Sequence, residues 1–356
     1  MNRYLQIGIT IIKEYVDRNE LPGACIAYVD KNGYECDCYG YKALLPQKER
    51  LSIDTIYDIA SLSKVVSTST MICRLMEEGL ISFETKVADI LPEFPYKDIT
   101  VFNLITHTSG LPADDKNYKL CKNKEELWDF ILKLPLHNPT GTIVEYSCFG
   151  YIVLGKIIEH FKGNLEDYAR KVLFDPLGSI NIMYNPYLKN RAADCAPTEA
   201  SEQRGIIKGI VHDGKANILE GLSGNAGIFS DVDTLARFVS MMLNDGVYDN
   251  TQILSKDIMK LFHKTYTEGL NEKRTMGGWF HGDLNTSAGK LVSPDSLYHT
   301  GFTGTSIYID YERGFGLVFL ANAVHPSRVH KMNEIRPLFY SEIIKAFDEN
   351  NTKSVS

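Results

Sequence analysis

The sequence predicts an α/β (α+β) fold: a central antiparallel sheet built from both chain ends and flanked by helices, plus a mostly helical inserted lobe. Three observations predict it. Alternating apolar segments occur near the start, in "PGACIAYVDKNGYECDCYGYK", and again near the end, in "SIYIDYERGFGLVFLANAV". Helical spacing dominates between them. Further helical patterns lie at both extremes, where they can cover the sheet. This places residues 1–78 and 205–356 in a sheet lobe and 79–204 in a helical lobe, with a cleft between them as the expected site for a small molecule.

The first 23 residues, "MNRYLQIGITIIKEYVDRNELPG", space Leu5, Ile9, Ile12 and Val16 as one face of an amphipathic helix. Charged residues interrupt the apolar pattern before a signal-peptide core can form, so a cytoplasmic protein is expected. The hairpin follows, with Lys31-Asn32-Gly33 as its turn. From Ser61 to Glu78 the period is helical, and Gly79 suits the stop. The segments "KEELWDFILKL" and "FGYIVLGKIIEHF" repeat apolar residues three and four apart, punctuated by Pro92, Pro112, Pro139 and Pro176. "VDTLARFVSMMLNDG" is a further helix. Two late strands turn at Glu312-Arg313-Gly314, and "NEIRPLFYSEIIKAFDEN" closes the chain as a helix.

The 356 residues carry a net charge of −7 and no basic stripe, which argues against nucleic acid as a partner. No apolar run is long enough to span a membrane. The seven cysteines form no C-x-x-C, and reduced, buried thiols are expected. Cys36-Asp37-Cys38 reads as part of a strand, and neither a metal nor a cofactor is expected.

Ser61 and Lys64, in "ASLSK", are the candidate reaction centre. A serine hydroxyl needs a base within hydrogen-bond reach. Residues three apart on a helix share a face, so Lys64 can place its amine beside Ser61. At a helix start the Ser61 N–H is unpaired and can meet a developing oxyanion. The helix dipole disfavours a nearby ammonium and would help Lys64 act as a neutral base. A second S-x-x-K, Ser287 to Lys290, lies in a polar stretch with no helix start.

Two further stretches single out the first copy: Tyr146-Ser147-Cys148 before an apolar helix, and His299-Thr300-Gly301 leading into a strand. In this order and setting the sequence resembles the penicillin-recognising serine hydrolases, nearest the branch of class C β-lactamases, D-alanyl-D-alanine peptidases with His-Thr-Gly, and related esterases. "ITHTSGL" and "GLSGNAGIFSDVDTLARF" extend the likeness over most of the chain. The resemblance implies a β-lactamase/transpeptidase-like fold and an acyl-enzyme on Ser61. Lys64 and Tyr146 would share the Ser61 proton. His299 would line the cleft, polarising Tyr146 or meeting a substrate carboxylate. The N–H groups of Ser61 and Phe302 would form the oxyanion hole, and Thr300, Gly301 and Gly304 the strand edge that substrate approaches. His107 and His212 are expected as loop scaffolding, with an approach of His212 to the cleft as its alternative, and Asn225 as a turn residue, with a cleft role as its alternative.

Cys148 stands where that family usually has Asn. A thiol is a weak substitute for an amide that donates to a substrate carbonyl. His299 in place of Lys removes a fixed charge. The leading expectation is a serine hydrolase acting on β-lactams or D-amino-acid amides. The alternatives are a carboxylesterase on small acyl esters, suggested by Cys148 and by Phe302, Trp279 and Phe280, and a non-hydrolytic penicillin-binding sensor. No G-x-S-x-G occurs to suggest another esterase route.

Overall fold

The computed structural model describes residues 2–353. Helix α1 (Arg3–Asp17) begins where the Asn2 side chain accepts from the Tyr4 N–H at 2.8 Å, filling one of the open donors of the first turn. It buries Leu5, Ile12 and Val16, leaving Ile9 half-buried. Strands β1 (Gly23–Asp30) and β2 (Gly33–Ala43) form the predicted hairpin. Asp30 pairs with Gly33, so only Lys31 and Asn32 form the turn. Cys36 and Cys38 both lie on β2, and β3 (Glu49–Arg50) extends this side of the sheet.

The helix after Ser61 is not a regular α-helix throughout. Lys64–Thr68 is one π-helical turn, and only then does α2 (Ser69–Glu77) follow. The Ser69 N–H reaches back five residues to the Lys64 carbonyl, which also accepts from Ser69 Oγ at 2.7 Å. Such widened turns recur at functional sites. The helix stops at Gly79, whose φ of +70° suits a residue without a side chain.

Helix α3 (Cys148–Lys162) is capped by Ser147, whose Oγ accepts from the Gly150 N–H. Helix α4 (Val232–Leu243) is capped by Asp231. The remaining strands are β4 (Phe280–His281), β5 (Ser296–Thr300), β6 (Ser306–Asp310) and β7 (Phe315–Ala321), and α5 (Met332–Lys353) ends the described chain. The order β4-β5-β6-β7-β1-β2-β3 joins strands from both chain regions, with every pair antiparallel.

Alternate residues face opposite ways along each strand. Ile26, Tyr28 and Phe319 join Ile12, Phe339 and Ile344 under the two terminal helices. Ala27, Val29, Val318 and Leu320 join Phe238 and Val239 of α4, in a cluster that continues into the helices bearing the site. Each fully buried Ile or Phe here stabilises the fold by roughly 1.5–3 kcal/mol. A small second sheet, absent from the sequence reading, draws Tyr57–Asp58, Ile228–Ser230 and Met183–Tyr184 together. Of the seven thiols, Cys25, Cys73 and Cys195 are buried, whereas Cys36, Cys38, Cys121 and Cys148 are only half-buried, correcting the expectation of uniform burial.

Candidate active site

Asp58 builds the turn that presents Ser61. Its carboxylate accepts from the Ala60 N–H (2.8 Å) and the His212 N–H (2.7 Å). Ala60 sits at φ +48°, a left-handed conformation that a residue with a Cβ adopts only under restraint. The strained turn leaves Ser61 half-buried at the wall of a 430 Å³ cavity that Tyr146, Cys148, His212 and Phe302 also line.

Lys64 is fully buried. Its ammonium donates to Ser61 Oγ at 3.2 Å and to the Asn225 carbonyl at 2.8 Å. It lies 5.0 Å from the Tyr146 ring centre and interacts with the Tyr146 hydroxyl. Burial alone would favour the neutral amine, but Cys148 and Tyr146 outweigh it and hold Lys64 above the ordinary lysine range. The expectation of a neutral lysine, drawn from the helix dipole, is therefore reversed. A field at the end of one helical turn is weaker than groups in contact with the amine.

Tyr146 is held from behind by His107, whose ring centre lies 4.6 Å away. His107 Nδ1 accepts from the Ser147 N–H at 3.1 Å, and its carbonyl accepts from the Glu145 N–H. It is the expected scaffold, and what it fixes is the Tyr146-Ser147-Cys148 segment. On the far side, His299 lies 5.9 Å from Tyr146, ring to ring. Its Nδ1 meets the Thr300 carbonyl at 3.0 Å, so Nδ1 carries the hydrogen and the unpartnered, buried Nε2 is an acceptor.

Burial, with Arg274 and Lys64 nearby, pushes His299 well below the ordinary histidine range, and burial with Arg274 does the same to His107. Both are neutral in the fold, while the unfolded chain takes up their protons as pH falls through about 6.5. Stability from this source is present above that pH and lost below it, on the order of 1 kcal/mol per pH unit for each ring. The thermal midpoint should therefore fall between pH 7.5 and 5.5, and less steeply in His299→Gln. Equal slopes for the two proteins would contradict a buried neutral His299.

The turn after β5 carries Phe302, the expected second oxyanion donor. Thr303 Oγ1 donates to the Asp58 carbonyl (2.8 Å) and Thr305 Oγ1 to the Ile59 carbonyl (3.1 Å), stitching residues 301–305 onto the Ser61 turn. A Cβ on Gly301 would lie 2.5 Å from the Ile59 carbonyl oxygen and 2.1 Å from Thr305 Oγ1, so only glycine permits this approach. Arg336 of α5 donates to both the Gly301 and Thr305 carbonyls at 3.0 Å. Among the described residues, neither the Ser61 nor the Phe302 N–H donates to another protein group. β4 pairs only with Leu297 and Tyr298, which leaves the β5 edge beside His299 and Thr300 open.

The structure thus lines one cavity with Ser61, Tyr146, Cys148 and Phe302, sets Lys64 and His299 behind Ser61 and Tyr146, and packs Gly301 on the Ser61 turn, while Thr300 is not among the lining residues. It keeps the other S-x-x-K apart: Ser287 Oγ bonds Tyr298, while Lys290 turns to the Leu284 carbonyl. His212 takes the alternative position, at the cleft, where it lines the cavity and its ring stacks on Phe302 at 5.4 Å. Asn225 contributes its carbonyl to Lys64, and its side chain binds Ser223 and Asp213. Sequence reasoning missed Asp58, Arg336 and the buried Arg274, whose guanidinium lies 5.7 Å from the Tyr146 ring. None carries a spacing signal, since each acts on a segment remote in sequence. Among the described residues, no cluster of three metal-ligating side chains occurs and no helix is long and apolar enough to cross a membrane.

A serine at a strained helix start, a buried lysine three residues on, and two free N–H groups define a serine acyl-transfer site on a mixed sheet-and-helix scaffold. Residues 9–339 match the Beta-lactamase family, and the chain belongs to it. It is a serine hydrolase of the β-lactamase and penicillin-binding-protein type. The chain is 30% identical to an N-acetylmuramyl-L-alanine amidase of Bacillus subtilis (strain 168), over 85% of this chain and 78% of that protein. It is 29% identical to a protein of Escherichia coli (strain K12) named "Putative D-alanyl-D-alanine carboxypeptidase", over 81% of this chain and 73% of the other. The fold is also that of unliganded simvastatin synthase (LovD) from Aspergillus terreus, with a TM-score of 0.78, 19% identity, and 98% and 100% of the two chains covered.

Proposed function

We propose that Ser61 forms an acyl-enzyme with β-lactam or D-amino-acid amide substrates. The observation that carries this reading is the contact between the Lys64 ammonium and Ser61 Oγ, beside two N–H groups free to receive an oxyanion. Ser61 Oγ attacks the acyl carbonyl, and the Ser61 and Phe302 N–H groups take up the charge on the carbonyl oxygen. The Ser61 proton passes through the Lys64–Tyr146 pair to the departing amine nitrogen as the C–N bond breaks. Lys64, already an ammonium, stabilises the forming alkoxide, which leaves the Tyr146 hydroxyl as the shuttle. The same pair then activates water to release the acid and regenerate Ser61.

His299 serves here as a neutral acceptor beside Tyr146. Its Nε2 lone pair does not attract a carboxylate, and its ring beside Tyr146 favours the polarising role over carboxylate binding. A second reading, hydrolysis of small esters by the same steps, is favoured by Cys148, which lines the cavity where an amide-binding Asn is usual. Exposure to a penicillin, a D-Ala-D-Ala peptide or a p-nitrophenyl ester should add one acyl mass to the intact wild-type protein and none to Ser61→Ala. Equal adducts or equal turnover in both would overturn the mechanism. Cys148→Asn should raise the rate on amides relative to esters, by roughly the tenfold that one good hydrogen bond confers.

A further inference from the structure

The same cavity holds a second buried cation that the reaction above does not use. Lys215 lies in "HDGKA", which reads as an exposed loop, yet it is only 4% exposed. It stands at the start of the short helix Gly214–Ile218, whose cap Asp213 also binds Asn225. Its ammonium packs 4.4 Å from the Tyr118 ring centre and 5.5 Å from that of Phe149. Its hydrogen-bond partner is Asp114 Oδ1 at 2.7 Å.

We propose that Lys215 is the specificity residue for the acyl side of the substrate, and that it selects an acyl group bearing a carboxylate. This deepens the acyl-transfer reading above and rests on it.

Four observations carry the assignment. An ammonium has three donors, and Lys215 uses one on a protein acceptor, leaving donors at the wall it shares with Ser61. That acceptor, Asp114, has a side chain 56% exposed, whereas the lysine side chain is 5% exposed. Asp114 can turn to water and be replaced by a substrate anion, but Lys215 cannot leave, and a buried ammonium needs an anionic partner. Cys148, which lies in the field of both Lys64 and Lys215, supplies no amide for neutral recognition on this side of the cavity. The other cations near the cleft are committed: Arg274 to Glu272 and the Gly278 carbonyl, Arg328 to Glu199.

Burial alone would lower Lys215, but Asp213, Cys148 and Asp114 push it up to about 12, so it is charged wherever the enzyme works. The opposite preference, for an ammonium, would need Asp114 or Asp213 to act as the receptor. Asp114 is largely in water, where its field is weak, and Asp213 Oδ1 is engaged by the Ala216 N–H and by Asn225.

Three p-nitrophenyl esters of similar length test this: valerate (neutral), hydrogen glutarate (anionic) and 4-aminobutyrate (cationic). Ser61→Ala serves as the blank for spontaneous hydrolysis. Wild type should favour glutarate over valerate in kcat/KM by roughly tenfold or more, the scale of one hydrogen bond to a charged group. The glutarate-to-valerate ratio should fall to about one in Lys215→Met and stay well above one in Lys215→Arg. A wild-type preference for valerate or 4-aminobutyrate, or a ratio unchanged in Lys215→Met, overturns the proposal. If wild type hydrolyses none of the three faster than Ser61→Ala, the acyl-transfer reading itself fails.

Discussion

Replacing Lys64 with methionine should lower kcat by about three to four orders of magnitude and leave the protein folded. General base and electrostatic assistance at a serine nucleophile contribute roughly 10²–10⁴ in rate, and groups acting as one unit are lost together. Lys64 touches Ser61 Oγ, the Tyr146 ring and the Asn225 carbonyl at once, so one substitution removes both the ammonium beside the forming alkoxide and the contact that holds the Tyr146 shuttle. Stability should change little. Methionine fills the same fully buried space. The Asn225 carbonyl loses its donor at a cost of about 1 kcal/mol, while the penalty for burying a charge disappears. Steady-state kinetics beside thermal denaturation check both halves. A kcat within tenfold of wild type would remove Lys64 from the reaction centre.

Gly301→Ala should cost about 10²–10³ in kcat, with a stability loss of roughly 1–3 kcal/mol. The added methyl would press on Thr305 Oγ1 and on the Ile59 carbonyl, both rigid parts of the stitched turn. Relief must move residues 301–305 away from Ser61, and with them the Phe302 N–H. The loss should fall on kcat rather than KM, because the oxyanion is met in the transition state and not in the bound substrate. Activity within about threefold of wild type would separate Phe302 from the oxyanion hole.

Much of this architecture is legible in the chain. β1, β2, β6 and β7 run for five to eleven residues, long enough for an alternating or continuously apolar pattern to show, and Gly79 and Gly314 mark real stops. The Ser61–Lys64 pair was separable from Ser287–Lys290 only through Tyr146 and His299 in the right order. What the sequence hides is of two kinds. The small sheet uses strands of two or three residues, too short for any period. The polar supports act across long separations, as when Thr303 reaches Asp58 from 245 residues away, and nothing local marks Asp58 as more than a strand-end carboxylate. Lys215 was invisible for a third reason: its neighbours are polar, and its burial comes from the Tyr118 and Phe149 rings of other segments.

The stitched turn at residues 301–305 also bears on when this chain becomes reactive. The nucleophile leaves the ribosome before the strand that leads to Phe302 and before Arg336, which clamps the turn behind that strand. On the mechanism proposed above, a nascent chain carrying Ser61, Lys64 and Tyr146 would be silent toward acyl compounds until the 301–305 turn has docked on the Ser61 turn. Acylation of Ser61 would then report the docking of this turn, and a probe that labels the serine would pass over molecules in which the turn has not docked.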